Sequence, residues 1–137
     1  MSLERFTEAQ DRIWPAPLEE IRAGRKLTHW MWFVFPQLAS LGRSGTAKFY
    51  GIRDRAEATD YLAHPVLGPR LRVVSEAMLS HSGMTAEDIL GPVDALKLRS
   101  SMTLFEAVSG AAGPFGTVLD TFCAGQRCTS TLAEIGP

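Results

Sequence analysis

The stretch from His29 to Gln37, HWMWFVFPQ, puts two tryptophans, two phenylalanines and a proline into nine residues. Its secondary structure decides the fold class, because the remainder of the chain reads as helices. Aromatic enrichment over residues 30–35 suits a strand buried on both faces, and periodicity alone does not separate that from a buried helix. Two features favour the helix: Thr28 is a ready cap, and no partner strand is in view. On such a helix His29, Trp32, Phe33 and Pro36 share one face at i, i+3, i+4 and i+7, while Trp30 and Val34 look elsewhere. Pro36 disfavours helical backbone at Phe35 and ends the helix. Gln37 then sits at a helix C-terminus, where its amide either caps free carbonyls or points into a cleft.

Working outward, Leu67, Leu71, Val74 and Met78 recur at helical spacing and predict a helix after His64-Pro65. Pro69 can delay its start, and Gly83 is a candidate left-handed cap at its end. Leu98, Met102 and Phe105 form a second stripe, on a helix predicted over 95–109 with Asp94 as N-cap. Lys97 and Ser101 share another face of that helix. Thr85 with Asp88 resembles a capping box opening a short helix. Asp54 caps a helix over 55–63, with Ala58, Tyr61 and Leu62 inward. Ser2 is the expected cap of a first helix carrying Leu3, Phe6, Ala9, Gln10 and Ile13, and a short second helix follows Pro15-Ala16-Pro17 and reaches Gly24. Pro114, Val118, Leu119 and Phe122 outline a further helix toward Gly125, and Thr129 or Ser130 caps a last one over Leu132 and Ile135. The expectation is an all-α, compact orthogonal bundle of about seven or eight short helices.

A chain of 137 residues fits one domain and buries roughly two thirds of its unfolded surface. No repeat or polar linker interrupts it, so residues 1–137 are expected to form a single helical domain. Apolar residues make up 45% and charged residues 21%, which excludes disordered and fibrous classes. Fourteen basic against fifteen acidic residues give a net charge of −1, so neither nucleic acid nor an anionic membrane is an expected partner. Arg22, Arg25 and Lys26 read as a solvated helix end behind Glu19 and Glu20. The start carries charges where a signal peptide needs an apolar core, and no run approaches the roughly 18 residues of a membrane span, so a cytoplasmic protein is expected. Cys123 and Cys128 are expected to be reduced thiols, since C-x4-C alone is a poor zinc signature.

Several of these residues also carry a family resemblance. Gly24, Lys26, His29 to Phe33, Phe35-Pro36-Gln37, Leu41-Gly42, Tyr50, Tyr61-Leu62, His64-Pro65, Leu67-Gly68, Arg70-Leu71 and Lys97 with Ser101 to Phe105 resemble a bacterial family called domain of unknown function 1810, whose members have sometimes been labelled calpastatin. The resemblance spans nearly the whole chain and implies a compact all-helical domain, without implying chemistry. The calpastatin label fits poorly, because nothing here is a disordered lysine-rich inhibitor repeat. The chain departs from the family at Trp14, Pro15 and Pro17, and at Arg127-Cys128-Thr129.

The chain has no dinucleotide fingerprint, Walker-type loop, H-E-x-x-H or G-x-S-x-G. Gly42 to Thr46 is either a phosphate-cradling turn or a plain helix start capped by Ser44. The three histidines lack ligand spacing, so no metal and no cofactor is expected. His29 among aromatics is either a packed, hydrogen-bonded ring or a general acid or base. Lys97 and Ser101 either bind an anion, form a serine–lysine nucleophile pair, or are a solvated lysine and a serine bonded back to its own helix. Trp30, Trp32 and Tyr50 can stack on a ring, although such residues are more often core. The candidate site residues are therefore His29, Trp30, Gln37, Tyr50, Lys97 and Ser101, lining an aromatic-walled pocket for a small, nucleotide-like or anionic molecule. A protein-interaction module without catalytic activity is the alternative, and a purely structural role for these residues is the third reading.

Overall fold

The computed structural model describes residues 3–136, Ala111 by its backbone only. Among the described residues ten α-helices follow one another: α1 (Glu4–Asp11), α2 (Ala16–Arg22), α3 (Met31–Val34), α4 (Gly45–Phe49), α5 (Arg55–Ala63), α6 (Leu67–Leu79), α7 (Ala86–Leu90), α8 (Pro92–Ser109), α9 (Phe115–Phe122) and α10 (Thr129–Ile135). Seven of them have seven residues or more, and α3, α4 and α7 are single turns. Among the described residues there is no strand; Leu38 and Ile52 form an isolated parallel bridge. The fold is all-α, as the periodicity predicts, with more short turns than the pattern reveals.

The aromatic stretch is helical only from Met31 to Val34. Thr28 does not cap it, because Glu20 takes Thr28 for another purpose. The Glu20 carboxylate accepts the backbone N–H groups of Leu27 and Thr28, the Thr28 hydroxyl and the Trp30 indole N–H. Those four bonds fix the preceding loop and leave His29 outside the helix and exposed. Trp30, expected on a different face from His29, is 1% exposed. At the other end Pro36 acts as expected, and the chain runs extended to Leu38, where Gln37 C=O and Ala39 N–H both bond to Ile52. The strand reading of this segment survives only as that bridge.

Helix α8 packs against α5, α7, α9 and α10, and α6 packs against α2, α5 and α9. The two predicted stripes are the core of these contacts: Leu67, Leu71, Val74, Met78, Leu98, Met102 and Phe105 are all buried. The Phe105 ring lies 5.3 Å from that of Tyr61 and 5.9 Å from that of Phe115. Ser44, Asp54 and Thr85 cap as predicted, the last with Asp88 in a full capping box. The expected cap Ser2 lies outside the described residues.

Several boundaries differ from expectation. Helix α10 is entered from Cys128 with no side-chain cap, Thr129 being already its first residue, and α2 stops at Arg22, short of Gly24. Helix α8 starts at Pro92, because Gly91 at φ +89° turns the chain out of α7 and proline fills the first position, leaving Asp94 in the first turn. Helix α6 starts at Leu67 despite Pro69; His64 Nδ1 accepts the N–H groups of Val66 and Leu67, and a first-turn proline lacks only a donor the helix does not use. It ends at Leu79, where the Ser80 hydroxyl bonds the Ala77 carbonyl, before Gly83 is reached.

Two buried polar groups join α1 to the segments that shape the site. Arg5 donates to Glu57 at 2.7 Å and to the carbonyls of Phe49 and Gly51 at 3.0 and 2.9 Å. Gln10 donates to the Phe33 carbonyl at 2.6 Å and to the Tyr61 hydroxyl at 3.0 Å. Gly51 has no alternative residue, since a Cβ there would lie 2.2 Å from Ala39 Cα.

Candidate ligand cleft

An open cleft of about 700 Å³ lies between three pieces of chain. One wall is the segment from Gln37 to Ala47, turned by the Leu38–Ile52 bridge. The second is the outer face of α8, with Val93, Leu96, Lys97 and Ser100 at i, i+3, i+4 and i+7. The third is the start of α10, with Cys128 and Ser130. This size falls within the range of small-molecule sites, roughly 300–1,000 Å³.

The charged residues that line the cleft, Arg43 and Lys97, are both cationic. Leu41, Ala47, Val93 and Leu96 give it an aliphatic surface, while Gln37, Ser44, Ser100 and Ser130 supply polar groups. Lys97 is held loosely. Its ammonium lies 3.6 Å from Asp94 and 5.4 Å above the Trp32 ring. Asp94 has a closer partner in Lys26 at 3.1 Å, which itself lies over Trp30. A partly exposed pair and a cation–π contact of this kind are each worth on the order of 0.5–1 kcal/mol.

Gln37 lines the cleft, and no described group hydrogen-bonds its side-chain amide. The capping role considered for it belongs to Gln10, whose amide takes the Phe33 carbonyl at the end of α3. Behind Gln37 a nearly closed crevice of about 10 Å³ is bounded by Met31, Trp32, Phe35 and Tyr50. Gln37, Ala47 and Lys97 line both cavities.

The six sequence candidates are therefore dispersed. Gln37 and Lys97 meet in the cleft, and Tyr50 borders the crevice. Trp30 is buried behind them with its indole on Glu20. His29 is exposed outside the cleft. Ser101 is fully buried, and its hydroxyl has no partner among the described residues, so it neither pairs with Lys97 nor bonds back to its helix. Lys97 sits between Ser100 and Ser101 around the helix axis, and its long stem carries the amine to the Ser100 side. The wall is aliphatic and polar, with the aromatics standing behind it.

Ser100, Arg43, Ser130 and Cys128 were missed. Val93 and Leu96 are a signal for the α8 face, being apolar residues outside the inward stripe. Nothing in the sequence brings Cys128 there. Burial raises its thiol pKa, but the polar groups of Thr131 and Ser130 beside it and the Ser100 hydroxyl, which donates to it at 3.6 Å, outweigh burial and lower it on balance. Of the glycine turn, Gly42, Arg43 and Ser44 line the cleft, yet the Ser44 hydroxyl is occupied by the Ala47 N–H as a plain cap. No group of three or more His, Cys, Asp or Glu side chains among the described residues could hold a metal ion. No described helix is long and apolar enough to cross a membrane.

Residues 1–135 match the family described as protein of unknown function (DUF1810), and the chain belongs to that family. It is similar in structure to the conserved hypothetical protein Rv1873 from Mycobacterium tuberculosis, with 44% sequence identity, a TM-score of 0.95, and 98% of this chain and 96% of the other covered. No curated protein matches the chain.

Proposed function

We propose that the chain is one helical domain that binds a small anionic molecule in the cleft between Gln37, Lys97 and Arg43. The observation that carries this reading is the convergence of two cations and an uncommitted amide, from segments far apart in sequence, on a cavity of about 700 Å³. The Gln37 amide and the Arg43 guanidinium have no hydrogen-bond or ionic partner among the described residues, and Lys97 keeps only a shared carboxylate and a ring face. The aliphatic patch beside them suits the non-ionic part of such a molecule.

The test is a thermal-shift titration with inorganic phosphate and small carboxylates. A ligand that binds the native state raises stability by about 2.7 kcal/mol at a hundredfold excess over its Kd. Lys97→Gln and Arg43→Gln should remove that shift without lowering the unliganded midpoint.

One observation favours a second reading, a protein-interaction module. Val93 and Leu96 stand at the cleft rim 65% and 64% exposed. In that case Leu96→Asp would abolish capture of a protein partner, and no small anion would move the midpoint of the wild type.

A further inference from the structure

We infer that Lys97 is a movable cover over an aromatic subsite, and that the ligand of the cleft is an anion bearing a planar ring, which stacks on Trp32 and Tyr50 once its charge has drawn the Lys97 ammonium aside. The inference rests on the anion reading of the cleft and adds the chemical class of the molecule.

Two cavities meet at three residues, Lys97 among them. The cleft and the aromatic crevice share Gln37, Ala47 and Lys97, so the wall between them is the lysine stem and its two neighbours. At about 10 Å³ the crevice holds no more than about one water-sized probe, far less than a ring. Its surroundings are nonetheless of the kind that receives rings: Trp32, Tyr50, Phe35 and Met31. Tyr50 is a fixed wall, packed against Phe6, Phe33 and Phe49 at centroid distances of 6.3, 5.2 and 4.8 Å. The Lys97 ammonium occupies the position above Trp32 that a stacked ring would take, 5.4 Å from its centroid.

The cover is free to move. Its side chain is 24% exposed and stands on a flexible four-carbon stem. Asp94, its ionic partner at 3.6 Å, keeps Lys26 at 3.1 Å when Lys97 departs, so no carboxylate is left unpaired. An anion in the cleft offers the ammonium a replacement for both Asp94 and the indole face. The Gln37 amide, at the junction and without a protein partner, has a donor and an acceptor for the edge of a heteroatom-bearing ring.

The experiment uses three probes: inorganic phosphate, phenyl phosphate and phenol, titrated by tryptophan fluorescence and by thermal shift. Phenyl phosphate should bind at least about tenfold tighter than phosphate and quench emission, as expected when a ring gains a stacking partner. Trp32→Phe should remove the quench and keep phosphate affinity. Lys97→Ala should lose phosphate and gain phenol, because its crevice stands open. Nuclear Overhauser contacts from the phenyl protons to the Trp32 indole in the wild-type protein answer the question if a variant fails to fold. Phosphate binding with no gain from the ring, or a quench that survives Trp32→Phe, overturns the ring subsite and leaves the anion reading. If neither phosphate nor phenyl phosphate binds, both fall.

Discussion

Two glutamines at opposite sides of the same aromatic segment are used in opposite ways. Gln10 is buried and bonded on both ends of its amide: it donates to the Phe33 carbonyl and the Tyr61 hydroxyl and accepts from Arg70 at 3.4 Å. Gln37 lies at the edge of the cleft, and among the described residues nothing bonds its amide. The same division separates the cations. Arg5 is enclosed by Glu57 and two carbonyls, while Lys97 keeps only a shared carboxylate and a ring face. A buried polar group without partners costs free energy, so the saturated set reads as fold, and the set left with spare valence at an open cavity reads as available for something else.

The largest expected effect tests the saturated side. Glu57 accepts from Arg5 and from the Arg53 backbone N–H inside the protein, and truncating it takes the carboxylate away from a buried guanidinium. Glu57→Ala should cost about 3–5 kcal/mol in urea unfolding. A loss under about 1 kcal/mol, the value usual for an exposed pair, would mean that Arg5 finds water and that the contrast with Lys97 is one of degree only.

A middle-sized effect comes from acid. Burial raises the Glu20 pKa, but its bonds from Thr28, Leu27 and Trp30 outweigh this and bring it from the ordinary 4.5 down to about 2. The folded state then binds the proton more weakly than the unfolded chain. The stabilisation is full above pH 4.5 and is lost as pH falls toward 2. With allowance for solvent at this partly exposed group it amounts to roughly 2 kcal/mol. Stability measured between pH 6 and 2 should fall in the wild type and fall less in Glu20→Gln, whose amide oxygen can still take the Leu27, Thr28 and Trp30 donors. Equal slopes would show that the loop before α3 is held by packing alone. Glu57, also lowered, adds to the same acid slope in both proteins.

Much of this contrast was legible in the sequence, and its limits are physical. Stripes such as Leu67, Leu71, Val74 and Met78 were readable because burial repeats with the helix period, and caps such as Asp54 and Thr85 because they act within three residues. What failed was non-local. Thr28 is a good cap in isolation, but Glu20 competes for it, and that competition exists only once α2 is in place. Ser101 shares a helix face with Lys97, yet a 40° difference around the axis is enough for one to enter the core while the other reaches the cleft. Gln37 and Lys97 were reachable as candidates by their chemistry; that Cys128 and Ser130 would stand opposite them depends on where α10 docks on α8, which no local pattern encodes.

The smallest expected effect is the most informative one. If Gln37 and Lys97 are spared from folding duties, Gln37→Ala and Lys97→Ala should each shift unliganded stability by less than about 1 kcal/mol, the usual range for side chains that satisfy no buried partner. Phe33→Ala is the yardstick. Its ring is buried 5.2 Å from that of Tyr50, and removing it should cost about 3–5 kcal/mol. Lys97→Ala carries a complication: it uncovers the Trp32 face and gives up a contact of order 0.5–1 kcal/mol, so Lys97→Met, which keeps most of the stem, separates lost packing from lost charge. The physical argument requires the methionine variant to be as stable as the wild type while responding to phosphate no better than the alanine variant does. Should Gln37→Ala or Lys97→Met instead destabilise the protein as severely as Phe33→Ala, the spare valence is only apparent, and the cleft is a surface depression left by the packing of α4, α8 and α10.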